Sequence, residues 1–425
     1  MAKRVLTCGA LLFLVFLIVA RLDARVETAL FLVLMGVAVL VYTIALYFIS
    51  QNLVGSSRLL LVCLLISVAW RVGFVIEAPL VSDDVYRYVW DGRVQRFGHN
   101  PYLSSPDDPD LAHLHTDVTR RIDPTSAKLP TIYPPVSELF LRVITTVHES
   151  VTAIILAIVF FDLLIIVILW RWLLLMGKNP WWLLAYAWHP LVTLEGAGGG
   201  HLDLLGTLLV VSVAYALLAG RTMVAALSLA AAFGVKFLPI VLVPLLWGRV
   251  RIRDLFIAVV AIVAFYAPFT SWSFVVPFGS LGAYIEQWRF NGPFFLWFEP
   301  FLGTVGVLVF AILIGLGVAI FARLRLPIDA PEAWAWPMAT TLFLMPVVYP
   351  WYLVWLTPFL VSRGTWPLMV WTHMSLLTYV VWISQLQGSG WVLPAWVEPL
   401  EYGLVAIVGL AIWFMKPLSD TKLER

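Results

Sequence analysis

The chain has 425 residues, 62% hydrophobic and 12% charged, with a formal net charge of +2 and a mean hydropathy of +0.94. A soluble domain carries about a quarter charged residues, so the composition excludes a soluble globular protein and indicates a polytopic membrane protein with no nucleic-acid partner. Its two cysteines, Cys8 and Cys63, both lie in apolar runs and imply neither a disulfide framework nor a thiolate metal site.

Lys3 and Arg4 precede an apolar run as a signal peptide would begin, but the residues near Ala20 lack a small-x-small cleavage pattern. The run reads as an uncleaved first span. Apolar runs near 5–20, 28–49 and 58–76 approach the ~20 residues that a helix needs to cross the hydrocarbon. Polar sequence follows, and eleven of the twenty-five acids lie between Glu77 and Glu149. After an amphipathic piece near 136–147, apolar runs resume near 151–171, 180–195, 203–219, 222–235, 238–247, 252–270, 301–322, 334–349, 351–362, 366–386 and 397–415. The expected fold is all-α: one integral membrane domain over 1–425, with about fourteen transmembrane or half-spanning helices. Short amphipathic helices are expected in an extracytoplasmic loop over 77–150. No internal repeat is evident.

Short-loop charge sets the orientation. With the N-terminus cytoplasmic, the inside segments carry Lys3, Arg4, Arg58, Arg171, Lys178, Arg221, Arg249, Arg251, Arg253, Arg323, Arg325, Arg363, Lys416, Lys422 and Arg425. The short outside loops carry chiefly Arg21, Arg25 and Arg289, as the positive-inside rule requires. Both termini are then cytoplasmic, and the 77–150 region, the Glu195 to Asp203 turn, the Lys236 turn, the 271–300 loop and the Tyr349 turn share the outer face. Irregular backbone at membrane depth is tolerated where it is buried in protein or lines a cavity, so one polar cavity opening outward is the economical expectation.

The stretch from Ser82 to Tyr102, SDDVYRYVWDGRVQRFGHNPY, reads as a short helix capped by Ser82 and stopped by Gly98 and Asn100-Pro101. Asp84, Tyr88 and Asp91 fall on one face of it. Acids in a first helical turn need no function, yet a doublet, Asp83 and Asp84, beside a span could supply a general base for an acceptor hydroxyl. The segment TIYPP around Tyr133 is explained by prolines that end an extended stretch and start a helix. The loop carrying Asp107, Asp108, Asp110, His113, His115 and Asp117 lacks regular ligand spacing and reads as solvated. In Glu195-Gly-Ala-Gly-Gly-Gly-His201-Leu-Asp203, small residues allow close packing or ligand approach, and His201 and Asp203 could bracket a sugar. Lys236, inside apolar sequence, either snorkels or serves as a cation for a lipid phosphate. Arg289 is a second such candidate, with an ion pair to Glu286 as its structural alternative. Trp351 and Tyr352 suit an interfacial aromatic belt, an isoprenoid groove or a stacking surface for a sugar.

Taken in order, Asp84 to Tyr88, Gly98 to Tyr102, Tyr133 to Pro135, Gly199 to Asp203, Lys236 to Pro239, Trp288 to Asn291 and Pro350 to Tyr352 resemble the GT-C superfamily of polyprenyl-phosphate-sugar-dependent glycosyltransferases. The likeness is closest to the family 87 and lipoglycan mannosyltransferases. The resemblance implies an inverting transfer of a hexose, mannose by the nearest likeness, to a glycan, lipid or protein acceptor at the extracytoplasmic face of the cytoplasmic (inner) membrane. It implies Asp84, then Asp83, as the base, and Lys236 and Arg289 as phosphate cations. Tyr88, Asp91, Tyr133, His201, Asp203, Asn291, Trp351 and Tyr352 would border the substrates. The lipid-linked sugar is a co-substrate, no resident cofactor is expected, and dependence on a divalent cation stays open. One departure is that about three spans precede the acidic loop, where such enzymes commonly have one. A transporter or lipid-glycan flippase, which tends to show inverted repeats, and a lipid-linked glycan ligase are the alternatives.

Overall fold

A computed structural model describes residues 2–51, 55–76, 81–270 and 278–415. The basic C-terminal residues Lys416, Lys422 and Arg425, the acid Glu77, and part of the 271–300 loop lie outside the described residues. The chain is all-helical, and the one β contact recorded among the described residues is an isolated parallel bridge between Phe290 and Val347.

Among the described residues, seven helices are long and apolar enough to cross a membrane: Ala2–Val19, Thr28–Ser50, Ser57–Val75, Val151–Leu175, Ile252–Phe269, Pro293–Arg325 and Val397–Phe414. Two shorter apolar helices, Asp203–Leu218 and Thr222–Val235, pack against each other. The expectation of about fourteen spans therefore divides into seven long helices and a set of broken ones. The breaks have a chemical cause. Proline removes a backbone donor and clashes with the preceding turn, and Pro180, Pro190, Pro239, Pro244, Pro350, Pro358 and Pro367 all fall in the runs that fail to form one continuous helix. Leu238–Leu246 and Pro350–Phe359 are 3₁₀ segments, far longer than the three or four residues usual for that geometry. Such backbone must be covered by protein or line a cavity, and both segments do line one, described below.

The described part of the polar stretch after the third span contains several short helices. Asp84–Arg96 packs on the amphipathic Pro135–Val147 helix. Ser82 Oγ accepts from the Asp84 N–H at 3.2 Å, although Asp83 occupies the N-cap position. Gly98, with φ +85°, ends the helix in a conformation that glycine adopts without steric cost. Gln95 ties the two helices by donating to Glu138 Oε2 at 2.8 Å, and Thr131 closes on the other oxygen of Glu138 at 2.7 Å. Within the bundle, Arg71 and Asp162 form a fully buried ion pair at 2.5 Å, and Arg71 also donates to the carbonyl of Ala187 at 2.9 Å. That pair fixes the third and fourth long helices to the start of the broken segment that carries Glu195.

Candidate active site

A cavity of about 990 Å³ opens among the broken segments. Its polar wall comprises Asp83, Asp84, Arg25, Arg87, Asp203 and Lys236, with Tyr133, Tyr284, Tyr349, Trp351, Tyr352 and Trp355 around them. Asp123, Thr341 and Gln385 also line it, and much of the remaining lining is aliphatic and aromatic, with Phe233, Ile240, Val241, Leu308, Ile312 and Leu342. One cavity thus offers charge at one part and an apolar surface at another, the two demands of a lipid with a charged head.

Asp84 reaches into this space from the first turn of its helix. Its side chain is 37% exposed although it sits deep in the fold, because it faces the cavity. Burial pushes its carboxyl above the ordinary value; His201 and Lys236 oppose that shift, while Asp203 and Asp83 reinforce it. Asp83 is engaged differently. Arg25, from the connection between the first two spans, grips it with two bonds of 2.6 and 3.1 Å, and the same guanidinium lies 4.7 Å over the Trp382 ring.

The glycine run positions the next two groups. Leu194–Gly198 forms a π turn, a geometry found mostly as single turns and often at functional sites. Gly200 then takes φ +68°. A Cβ on Gly199 would lie 2.6 Å from His201 Nδ1, so only glycine lets the imidazole fold back on this turn. His201 is fully buried: Nδ1 lies 3.1 Å from Glu195 Oε2, Nε2 lies 3.9 Å from Asp84 Oδ2, and the ring stacks on Trp351 at 4.3 Å. Two residues on, Asp203 is also fully buried and holds Lys236 Nζ between its oxygens at 2.8 and 2.7 Å. Trp355 Nε1 donates to Asp203 Oδ1 at 2.7 Å, and the Lys236 ammonium sits 4.3 Å from the Tyr352 ring centroid. Tyr352 and Tyr284 share a hydroxyl contact of 2.9 Å.

Trp355 reaches Asp203 across a glycine. A Cβ on Gly206 would lie 1.9 Å from the indole edge, with no flexible side chain there to give way. Gly206→Ala is expected to push Trp355 off Asp203, lowering the melting temperature in detergent and cutting activity, whereas Gly282→Ala, with nothing within 4 Å, leaves both unchanged.

Among the residues named from the sequence, Asp83, Asp84, Tyr133, Asp203, Lys236, Trp351 and Tyr352 line the cavity. Tyr88 and His201 stand behind the wall. Tyr88 is buried, its hydroxyl 3.5 Å from that of Tyr133, so it backs that residue. Asp91 does not line the cavity; it is fully buried and accepts from Arg87 at 2.8 Å.

Arg289 and Asn291 line a separate cavity of about 280 Å³ with Leu393 and Glu398. Arg289 pairs with Glu299 at 2.6 Å, not with Glu286, and also donates to the carbonyls of Ile285 and Trp288. Asn291 is buried at φ +53° and donates to the buried Glu401 at 3.2 Å. The Trp288 to Asn291 motif is thereby a clamp on the main-chain pairing of Phe290 with Pro346 and Val348. It stands next to the larger cavity through Phe290.

Arg25 and Arg87 were not picked out as ligands from the sequence, and they are the arginines of the larger cavity. Glu195 was noted only as a polar end, and Tyr379, whose hydroxyl donates to Glu195 Oε1 at 2.6 Å, was not noted. In the acidic loop, His115 stacks on Trp90 at 4.6 Å and its Nε2 contacts the Pro106 carbonyl at 2.7 Å. Among the described residues, no three His, Cys, Asp or Glu side chains cluster as a metal cage.

A family model described as MptA_B family, alpha-(1->6)-mannopyranosyltransferase, N-terminal domain, matches residues 9–250. The match takes in Asp84, His201, Asp203 and Lys236 and stops before the Tyr349 turn. Neither a curated protein nor a solved structure matches the chain.

Proposed function

The chain belongs to the alpha-(1->6)-mannopyranosyltransferase family of that model and is a membrane mannosyltransferase, and from that premise we propose that it takes its mannose from a polyprenyl-phosphate donor and transfers it with inversion. The reaction is proposed to run at the extracytoplasmic face of the inner membrane, with both termini cytoplasmic. The observation that carries this reading is the convergence of Asp84, the Asp203–Lys236 pair and a long apolar wall on one cavity of about 990 Å³.

Asp84 takes the proton of the acceptor hydroxyl, and the oxygen attacks the anomeric carbon. The bond from that carbon to the phosphate oxygen breaks, and polyprenyl phosphate leaves with the electron pair. Positioning and fixed charge supply the catalysis. Lys236, oriented by both oxygens of Asp203, faces the leaving phosphate, and Arg87 and Arg25 stand on the same wall. In this reading they take the place that the sequence suggested for Arg289. Tyr133, Trp351 and Tyr352 border the sugar, and the apolar side between Phe233 and Leu342 receives the isoprenoid.

The test is transfer in proteoliposomes from a panel of donors: polyprenyl-phosphate mannose, polyprenyl-phosphate glucose and GDP-mannose, with octyl mannoside as acceptor. The expected result is release of polyprenyl phosphate from the mannosyl lipid and no turnover of GDP-mannose. Turnover of the nucleotide sugar alone would overturn the donor assignment.

A further inference from the structure

Behind Asp84 lies an imidazole that the transfer chemistry leaves unused. His201 is fully buried and does not line the cavity. Trp351 stacks on one face of the ring at 4.3 Å, Nδ1 lies 3.1 Å from Glu195 Oε2 and 3.2 Å from the main-chain carbonyl of Glu195, and Gly199 leaves no room for a Cβ beside it. Held on these sides, the ring directs Nε2 at Asp84 Oδ2, 3.9 Å away, and Nε2 has no hydrogen-bond partner among the described residues.

The charges around the ring are uneven. Asp203 is matched by Lys236, and Asp83 by Arg25. That leaves Asp84 and Glu195, two carboxylates with no Lys or Arg ion-pair partner among the described residues, one at each nitrogen of the same ring. Tyr379 donates to the other oxygen of Glu195 at 2.6 Å, and Tyr88, Tyr133, Tyr284, Tyr349 and Tyr352 are further titratable groups near Asp84 or Asp203. A neutral imidazole carries one N–H and would turn a lone pair toward one of the two carboxylates, whereas an imidazolium presents an N–H to each.

We propose that His201, anchored by Glu195, is a positioning residue that bears a positive charge in the resting enzyme and so keeps Asp84 ionised and able to accept the proton of the acceptor. The proposal rests on Asp84 being the base. At 3.9 Å the contact is too long for a hydrogen bond and close enough for charge to act on charge, an opposite charge at about 4–6 Å shifting a carboxyl by roughly 1–3 pH units. It gives the glycine run a purpose, because the run is what folds the imidazole back between the two acids.

The experiment is the pH profile of kcat/KM for full-length enzyme in proteoliposomes, with polyprenyl-phosphate mannose and octyl mannoside, for the wild type, His201→Gln, Glu195→Gln and Asp84→Asn. In His201→Gln the acid limb moves to higher pH by about 1–3 units, with the donor KM within about twofold. Glu195→Gln separates the proposal from simple repulsion. Loss of that negative charge alone would move the limb to lower pH, whereas loss of the proton it holds on His201 moves the limb to higher pH, which is the result expected here. A uniform fall in rate with the limb unmoved in both variants would overturn the proposal and leave His201 a packing residue. Full transfer by Asp84→Asn would instead remove the base on which the proposal rests. Glu195→Gln keeps the size and the Tyr379 contact, so it remains informative where His201→Gln fails to fold.

Discussion

Asp84→Asn lowers mannosyl transfer by about 10²–10⁴-fold, the contribution of a positioned general base, with no loss of thermal stability in detergent. The amide keeps the shape of the side chain and cannot take the acceptor proton. Burial raises the Asp84 carboxyl above its ordinary value, so the pH at which the base becomes ionised is raised as well. The sign follows directly: the active form is the carboxylate, and transfer falls as pH drops through that raised value while staying flat above it, until another group titrates. In Asp84→Asn this acid limb disappears from whatever residual activity is left. Asp83→Asn behaves differently. It loses a partly exposed pair with Arg25, of a kind worth about 1 kcal/mol or less, and costs less than about tenfold. Full transfer by both variants would mean that the acid doublet supplies no base. Equal losses in both would mean that the separation of their environments has no catalytic meaning.

The sequence carried the two ends of this arrangement better than its middle. The doublet after the third span, the glycine run before Asp203, and Lys236 before Pro239 are each local patterns, visible because polar or small residues interrupt apolar sequence. What joins them is not local. Arg25 meets Asp83 across 58 positions, and Trp355 meets Asp203 across 152; no spacing rule links residues on different helices. Arg289 shows the opposite failure. Position on the expected outer face made it a candidate, yet Glu299, one helical entry later, pairs with it and turns it toward the smaller cavity. Asp91 shares a face of the helix with Asp84, but two turns, about 10 Å along the axis, carry it into the packing against Arg87, and periodicity alone did not say how far along the helix the cavity extends. The half-spanning runs were legible as too short to cross alone, but their backbone geometry was not: hydropathy sums over a window and does not register a proline inside it, and Leu238–Leu246 and Pro350–Phe359 fold as 3₁₀ segments.

Lys236→Met has two effects, and a double-mutant comparison separates them. The first is on stability. Asp203 is fully buried, and without the ammonium it keeps Trp355 as its side-chain donor; breaking a buried pair by removing one partner costs about 3–5 kcal/mol. A lower melting temperature is therefore expected. The second is on the donor. If the ammonium contacts the lipid phosphate, its loss removes a charge-assisted hydrogen bond of roughly 1.5–3 kcal/mol, equivalent to an increase of about 10- to 150-fold in the donor KM. The double variant Lys236→Met with Asp203→Asn takes away both charges, so most of the stability should return while the donor KM stays high. Asp203→Asn alone leaves the ammonium in the cavity without its anchor, with a smaller rise in the donor KM and a lower kcat, because a mobile cation no longer meets the developing phosphate charge in a fixed position. Measurement of melting temperature, donor KM and acceptor KM on the three variants decides the matter. Recovery of the donor KM together with stability in the double variant would make Lys236 a structural partner of Asp203 alone, and the leaving phosphate would then have to rely on Arg25 and Arg87, the other cations of the same wall.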